Sequence, residues 1–451
     1  MKNSPLSELM KNSKRIHFVG VGGISMSSLA VISAGMGYTV TGSDMRRSTM
    51  TERVSESGVT VFYGHREDNV RGADVTVYTA AAHNDNPELR YCLENGIPTV
   101  SRAEYLGWLM SAYNCRIGVS GTHGKSTVTS MLTDIYMAAR LDPTVVSGAE
   151  LESIGGAYRL GGKEYFLFEA CEYCDSFLSF CPTVCVVTNL EYDHADYFKD
   201  MEQLRESFRK YIAMGGLAVL NADDEEAFVL KNGYNGRVLT FSLEGKGDYN
   251  AENIRYNNGC ATFTVTKNGT TVTEITLSVP GRHNVYNAMA AVTAALENGC
   301  DAESVARGLA SFGGAKRRFE YVGVSEGGAQ VYNDYAHHPS EIKATLSAAK
   351  AFGKRVVCIF QPHTYSRTAS LFDDFTRAFA DADLALFSDI YAARETDTLG
   401  VSSELLDRNT PNSLYLGSFD AIASYVKKSC NENDLVLILG AGDFVNIGKM
   451  L

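Results

Sequence analysis

The sequence predicts an α/β protein of three domains with mainly parallel sheets. Three observations carry this. Short, apolar, β-rich runs alternate with helix-like stretches, the pattern of βαβ units. Two separate glycine loops each lie between a strand and a helix. The chain has 451 residues, a length that suggests two to four domains.

The expected strands, in order, cover residues 16–20, 39–42, 73–79, 116–120, 165–169, 184–189, 217–221, 355–360, 384–388 and 435–440. Residues 261–279 break the rhythm. There Thr alternates with apolar residues around Asn268-Gly269, a hairpin signal, so a small antiparallel patch is expected. A new strand opens the second glycine loop after residues 112–114, and Gly313-Gly314 follows a long helical stretch. The expected domains are therefore 1–112, 113–313 and 314–451.

Composition is that of ordinary globular protein, with 45% hydrophobic and 21% charged residues. The net charge of -12 argues against nucleic acid or an anionic membrane as partner, since both favour a basic face. The segment MKNSPLSELMKNSKR lacks an apolar core and does not read as a signal peptide. No apolar run is long enough to span a bilayer, and a cytoplasmic location is the expectation. Ten cysteines are scattered along the chain, several inside apolar runs, as small buried hydrophobes are. Cys171 and Cys174 match C-x-x-C, but no second pair stands at zinc-ligand spacing.

The first glycine loop is Gly20-Val21-Gly22-Gly23-Ile24-Ser25. Glycines let a backbone approach a diphosphate, and the following helix N-terminus favours negative charge. Asp44 ends the next strand, 24 residues after Gly20, near the position of a ribose-binding acid. Ser25 stands where the dinucleotide fingerprint has Gly or Ala. Alone, this loop equally suits an NAD enzyme or a tight strand-to-helix turn.

The second loop, Gly121-Thr122-His123-Gly124-Lys125-Ser126-Thr127, is a compact phosphate loop. Strict Walker spacing would put its first glycine at position 119, which is Val119. Its backbone N–H groups can surround phosphate oxygens, Lys125 can neutralise the β/γ-phosphates, and Ser126 is placed to ligate Mg²⁺. Two phosphate loops favour an enzyme that binds two nucleotides.

Glu169 closes one buried strand, and Glu191, Asp193, His194 and Asp196 follow another. Carboxylates at the carboxyl ends of parallel strands share a rim with the phosphate loop, so Glu169 and His194 can converge on a metal. The alternative is a loop of solvated acids. Asn284 and Asn287 share a helix face and suit either an adenine edge or helix capping. Lys316, Arg317 and Arg318 lie at a domain junction, where one of them could reach a γ-phosphate when the domains close. His363 and Arg367 suit an incoming carboxylate or a solvated loop.

These motifs together resemble the Mur ligase family. The matching segments are HFVGVGGISMSSLA, GTHGKST, FEACEY, TNLEYDHADYF, GRHNVYNAMAA, GGAKRRFE, NDYAHHPSEI, FQPHTYSRT, IYAARE and GAGD, in the family's order along nearly the whole chain. The resemblance implies the three-domain Mur ligase architecture: a Rossmann-like N-terminal domain, a P-loop ATPase-like central domain with the antiparallel patch, and a Rossmann-like C-terminal domain. It implies that Gly20, Gly22 and Gly23 cradle the diphosphate of a UDP-linked substrate, with Asp44 and His65 near the ribose or uracil. Gly121, Thr122, His123, Gly124, Lys125, Ser126 and Thr127 would hold ATP phosphates. Ser126, Glu169 and His194 would ligate Mg²⁺, and Asn284, Asn287, Arg318 and Asp334 would complete the ATP site. His338, His363 and Arg367 would position the amino acid, and Lys125, Glu169 and His194 would be catalytic.

The activity so implied is ATP-dependent addition of L-alanine to the lactyl carboxylate of UDP-N-acetylmuramate, in peptidoglycan precursor synthesis. The alternatives are the relative that attaches a ready-made peptide in wall recycling and, in another class, a non-catalytic nucleotide-binding regulator. The chain departs from the family at several positions. Ser126 replaces Thr, Cys171 and Tyr173 replace Asp and Ser, Thr364 replaces Arg, and Arg394 replaces Gly. Losing an arginine at 364 removes a carboxylate contact.

Overall fold

A computed structural model describes residues 5–83, 85–194, 197–393, 395–397 and 399–451. Asp196 and Arg394 therefore lie outside the described residues.

The first sheet contains β1 (Arg15–Val19), β2 (Thr39–Asp44), β3 (Thr60–Tyr63), β4 (Val75–Tyr78) and β5 (Thr99–Ser101). Its order is β3-β2-β1-β4-β5, and every pair is parallel. The strand order reverses between β1 and β4, so a crevice opens beyond their carboxyl ends, where the glycine loop lies.

The second sheet holds β6 (Cys115–Ser120), β7 (Thr144–Leu151), β8 (Gly156–Arg159), β9 (Tyr165–Glu169) and β10 (Val184–Val187). It continues with β11 (Leu217–Asn221), β12 (Arg237–Ser242), β13 (Tyr249–Asn257), β14 (Cys260–Lys267) and β15 (Thr270–Pro280). The order is β15-β14-β13-β12-β11-β10-β6-β9-β7-β8. The phosphate-loop strand β6 sits at the centre, parallel to β9 and β10, so Glu169 and the segment after Val187 share its rim. The antiparallel patch has one more strand than the sequence suggested, because β13 pairs with both β12 and β14. The β14–β15 turn places Asn268 and Gly269 at φ 48° and 78°, the left-handed pair that a two-residue hairpin needs.

The third sheet is β16 (Glu320–Val324), β17 (Gln330–Asp334), β18 (Arg355–Phe360), β19 (Leu384–Ser388), β20 (Ser413–Gly417) and β21 (Asp434–Leu439). Its order is β16-β17-β21-β18-β19-β20, parallel except for the edge strand β16.

The cores are distributed unequally. One buried cluster runs from Ile16 and Phe18 of the first sheet through Tyr105 and Leu109 to Phe166, Phe177 and Phe208 beside the second. Gly107 allows this close approach, since a Cβ there would stand 2.0 Å from the Ser179 carbonyl oxygen. The clusters on the two faces of the third sheet draw only on residues from 319 onward. Polar pairs across that sheet's boundary with the second domain include His123–Glu341, Ser340–Glu191 and Arg367–Asp193. Among the described residues, no helix is long and apolar enough to cross a membrane.

Candidate functional site

The glycine turn is built to bring backbone close to a ligand. Gly20 has φ 83°, and a Cβ there would lie 2.6 Å from Thr79 Cγ2. Its N–H donates to the Ser43 carbonyl at 2.8 Å. Asp44 braces the same turn, accepting from the Gly22 N–H at 2.8 Å. Gly23 is the N-cap of the helix Ile24–Gly35 and supplies no side-chain cap, which leaves helix N–H groups for an anion. Ser25, the fingerprint mismatch, accepts from Arg102 Nη1 at 3.0 Å.

His65 is turned inward from this crevice. Its Nδ1 lies 3.0 Å from both Ser43 Oγ and Glu88 Oε2. Glu88 is fully buried, and burial alone would raise its pKa. Hydrogen bonds from His17, Ser43 and Asn69 outweigh that and lower it to about 2. Nothing in the residue pattern signals this network, because Glu88 lies early in the helix Pro87–Asn95, where an acid is unremarkable at a positive helix end.

In the second loop, Gly124 takes φ 86° as the N-cap of the helix Lys125–Ala138. A Cβ at Gly124 would meet Asn287 Oδ1 at 2.4 Å, so the loop and the Asn287 helix are fitted to each other. Asn189 clamps the loop, accepting from the His123 N–H at 2.8 Å and donating to its carbonyl at 3.1 Å. The Lys125 ammonium donates to the Gly121 and Thr122 carbonyls at 2.6 and 3.1 Å and pairs with Glu172 at 3.0 Å. Burial would lower the Lys125 pKa, but the Glu172 charge outweighs it and raises it. The reverse holds at Glu172, where Lys125 and His194 overcome burial and hold the carboxyl below its usual range.

Ser126 Oγ donates to Glu169 Oε2 at 2.7 Å, and the Gly148 N–H reaches the same oxygen at 3.1 Å. A hydroxyl and a carboxylate side by side next to the lysine are hard oxygen donors, and this pair fits Mg²⁺. His194 has φ 56°, lies 3.5 Å from Glu172 and packs its ring 4.8 Å from Tyr173. Sequence reading passed over Glu172, although the rule that singled out Glu169 at the end of β9 applies equally to it. Cys171 shares this wall, where burial raises its thiol to about 11.

Asn284 and Asn287 are buried and face a cavity that Arg318 and Asp334 also line. The capping alternative does not hold. The helix Arg282–Leu296 has Gly281 at its N-cap, while Asn284 donates to the Pro280 carbonyl at 2.7 Å and Asn287 donates to Asn284 at 3.1 Å. Asp334 accepts from the Phe319 and Ala336 N–H groups at 2.8 and 2.7 Å. Burial outweighs those bonds and the Arg318 charge, raising its pKa to about 6. Arg318 approaches Glu341 at 3.8 Å.

His363 and Arg367 are brought together, with Nδ1 and Nη1 3.3 Å apart. They line a pocket of about 210 Å³ with Tyr173, Tyr192, Asp193 and Glu395. His338 is not among its lining residues. Its ring is tilted against that of His123 at 4.9 Å and lies 3.4 Å from Glu191, and it is His337 that faces His363, at 6.0 Å. The expected amino-acid trio is therefore split between two places. Thr364, at φ 66°, caps the helix Tyr365–Ser370 through its side chain.

A further cavity of about 900 Å³ joins these parts. Its lining runs from Ile24 beside the glycine turn, past Lys125, Ser126, Glu169 and His194, to Tyr335 and His337 of the third sheet.

The Mur ligase family, catalytic domain, matches residues 15–114, the Mur ligase middle domain 119–295, and the Mur ligase, glutamate ligase domain, 317–442. The chain is 45% identical to UDP-N-acetylmuramate–L-alanine ligase of Acetivibrio thermocellus, over 97% of this chain and 95% of that one. It is likewise 45% identical to the ligase of that name from Clostridium tetani, over 98% and 99%. Among solved structures it resembles UDP-N-acetylmuramate–alanine ligase of Thermotoga maritima, with TM-score 0.81, 29% identity and coverage of 96% and 97%. A murein peptide ligase of Psychrobacter arcticus matches with TM-score 0.71 and 25% identity, over 97% of both chains.

Proposed function

From its place in the Mur ligase family, to which the chain belongs, we propose that it joins L-alanine to the lactyl carboxylate of UDP-N-acetylmuramate at the expense of ATP. The observation that carries this is the continuous cavity from the glycine turn through Lys125 to the third sheet. A UDP-linked acid held at one end would present its carboxylate to a triphosphate held at the loop, and an amine would arrive from the other side. We take residues 1–112, 113–313 and 314–451 as the domains that bring the three substrates.

The lactyl carboxylate attacks the γ-phosphorus, the bond to ADP breaks, and an acyl phosphate forms. The ammonium of alanine loses one proton to solvent, and the amine so formed attacks the acyl carbon. The tetrahedral intermediate collapses by breaking the acyl C–O bond, so that inorganic phosphate leaves and takes up the second proton of the nitrogen. Lys125 offsets the repulsion between carboxylate and phosphate oxygens. Ser126, Glu169 and His194 would hold Mg²⁺, which supplies further charge neutralisation when bound. Asn284 and Asn287 are placed for the adenine edge, and Arg318 and Asp334 complete that pocket from the third sheet. His363 and Arg367 receive the amino-acid carboxylate. Closure of the third domain over the acyl phosphate excludes water.

The size of the His363–Arg367 pocket favours a small amino acid over a peptide. Phosphate release from ATP and UDP-N-acetylmuramate, measured with alanine, serine, glycine or a tripeptide, tests this. Release with alanine is expected, and release only with the tripeptide would replace it by the peptide-ligase reading. No release with any acceptor, despite nucleotide binding, would favour a regulator.

A further inference from the structure

His123, Glu191 and His338 form a cluster at the edge of the proposed ATP cavity, which His123 and Glu191 help to line, and the proposed reaction gives these three side chains no joint role. His123 belongs to the phosphate loop, Glu191 to the segment after β10, and His338 is the N-cap of the helix Pro339–Lys350 in the third domain. Their ligand atoms all lie within 4.8 Å of one another. Glu191 Oε2 is 3.2 Å from His123 Nε2 and 3.4 Å from His338 Nδ1. A tetrahedral metal with arms of about 2.0–2.2 Å sets its ligand atoms about 3.3–3.6 Å apart, so these two edges already have nearly the length that coordination requires.

Two further features point the same way. The second ring nitrogen of His123 lies 3.1 Å from Glu341 Oε1. That is the carboxylate–histidine pairing that fixes the tautomer of a metal-bound imidazole. His338 is 5% exposed and its Nε2 has no hydrogen-bond partner, while its Nδ1 accepts from the Ser340 N–H at a long 3.4 Å, a bond that holds the ring at the cluster and that a metal on Nδ1 would replace.

We propose that His123, Glu191 and His338 bind a zinc-like divalent transition metal, which ties the phosphate loop to the third domain. Two imidazoles and one carboxylate suit zinc, whereas Mg²⁺ prefers all-oxygen surroundings. The fourth position is left to water. The metal would hold the two domains in the arrangement seen here and inhibit a cycle that needs them to part.

Titration of the full chain with Zn²⁺, in excess Mg²⁺ to occupy oxygen-donor sites, tests the site calorimetrically. One equivalent is expected. His338→Gln and Glu191→Gln should each weaken binding by at least about 10-fold, and Glu341→Gln by about 10-fold through the supported imidazole. Wild-type protein loaded with Co²⁺ should show the intense visible bands of four-coordination, a readout that no variant's folding can affect. Unchanged Zn²⁺ affinity in both ligand variants would overturn the proposal. So would wild-type binding weaker than about 0.1 mM, or an anomalous-scattering peak away from these three residues.

Discussion

Arg367 grips Asp193 across two domains. Its Nε and Nη2 donate to Oδ1 at 3.2 and 3.1 Å, and Nη2 reaches Oδ2 at 3.4 Å. Both side chains are only 12% exposed. Burial would raise the Asp193 pKa, but the Arg367 charge outweighs it and holds the carboxyl well below its usual range. The fork proposed for the amino-acid carboxylate is thus occupied by a protein carboxylate, which the substrate must displace or share. Arg367→Lys keeps the charge but loses the planar fork. The KM for alanine is expected to rise about tenfold, equivalent to about 1.4 kcal/mol, with little change for ATP. Steady-state kinetics with each substrate varied in turn would measure this. An unchanged alanine KM would take Arg367 out of the pocket.

Lys125 and Glu172 act as a unit. Lys125→Ala removes the cation proposed to face the β/γ-phosphates, and a loss of at least about 100-fold in kcat is expected. Glu172→Gln leaves a buried ammonium beside a neutral amide and loosens His194 as well. A fall in kcat of about tenfold or more is expected, with ATP still bound. If Glu172→Gln turned over at the wild-type rate, the buried pair would be structural only.

Ser126 and Glu169 share one hydrogen bond at the proposed metal position. Ser126→Ala and Glu169→Ala are each expected to raise the Mg²⁺ concentration for half-maximal activity by about tenfold or more, as loss of a metal ligand should. The assay is a Mg²⁺ titration at saturating ATP. Identical Mg²⁺ curves for all three proteins would move the metal elsewhere.

Sequence alone made the strand framework and both loops legible because each is local. Residues 116–120 are an apolar run that reads as a buried strand by itself, and the glycines of each loop sit between a strand and a helix that can be read beside them. Contacts between domains have no such local signature. Spacing does not disclose that Glu341, on a helix 218 residues beyond His123 in the chain, bonds its ring. Nor does it disclose that Asp193 holds Arg367, or that His338 and His363 part company. Asp44 illustrates a subtler gap: its position suggested a ribose ligand, and in the fold its carboxylate supports the glycine turn itself. The unequal cores were equally hidden, since an apolar run does not say which domain it will face.

His123, between Glu191 and Glu341, makes the interface of the second and third domains sensitive to pH. Burial pulls the imidazole pKa down and His338 lies against the ring, but the two carboxylates prevail and raise it to about 9. His338 itself is pushed the other way, by burial and by the charge of His123. An imidazole whose folded pKa exceeds its unfolded value of about 6.5 stabilises the fold fully below that value. The contribution declines as pH rises and is lost on passing about 9. Glu191 works in the opposite sense. Burial raises its pKa, His123 and Ser340 outweigh that to bring it to about 2, and its contribution is therefore lost only in acid. Melting temperatures of wild type and His123→Gln, compared from pH 6 to 9.5, separate the two groups. The wild-type advantage is expected to shrink steadily across that range, reporting the loss of the charged ring from between its two carboxylates. A difference that stayed constant or grew with pH would mean that His123 is already neutral in the folded protein.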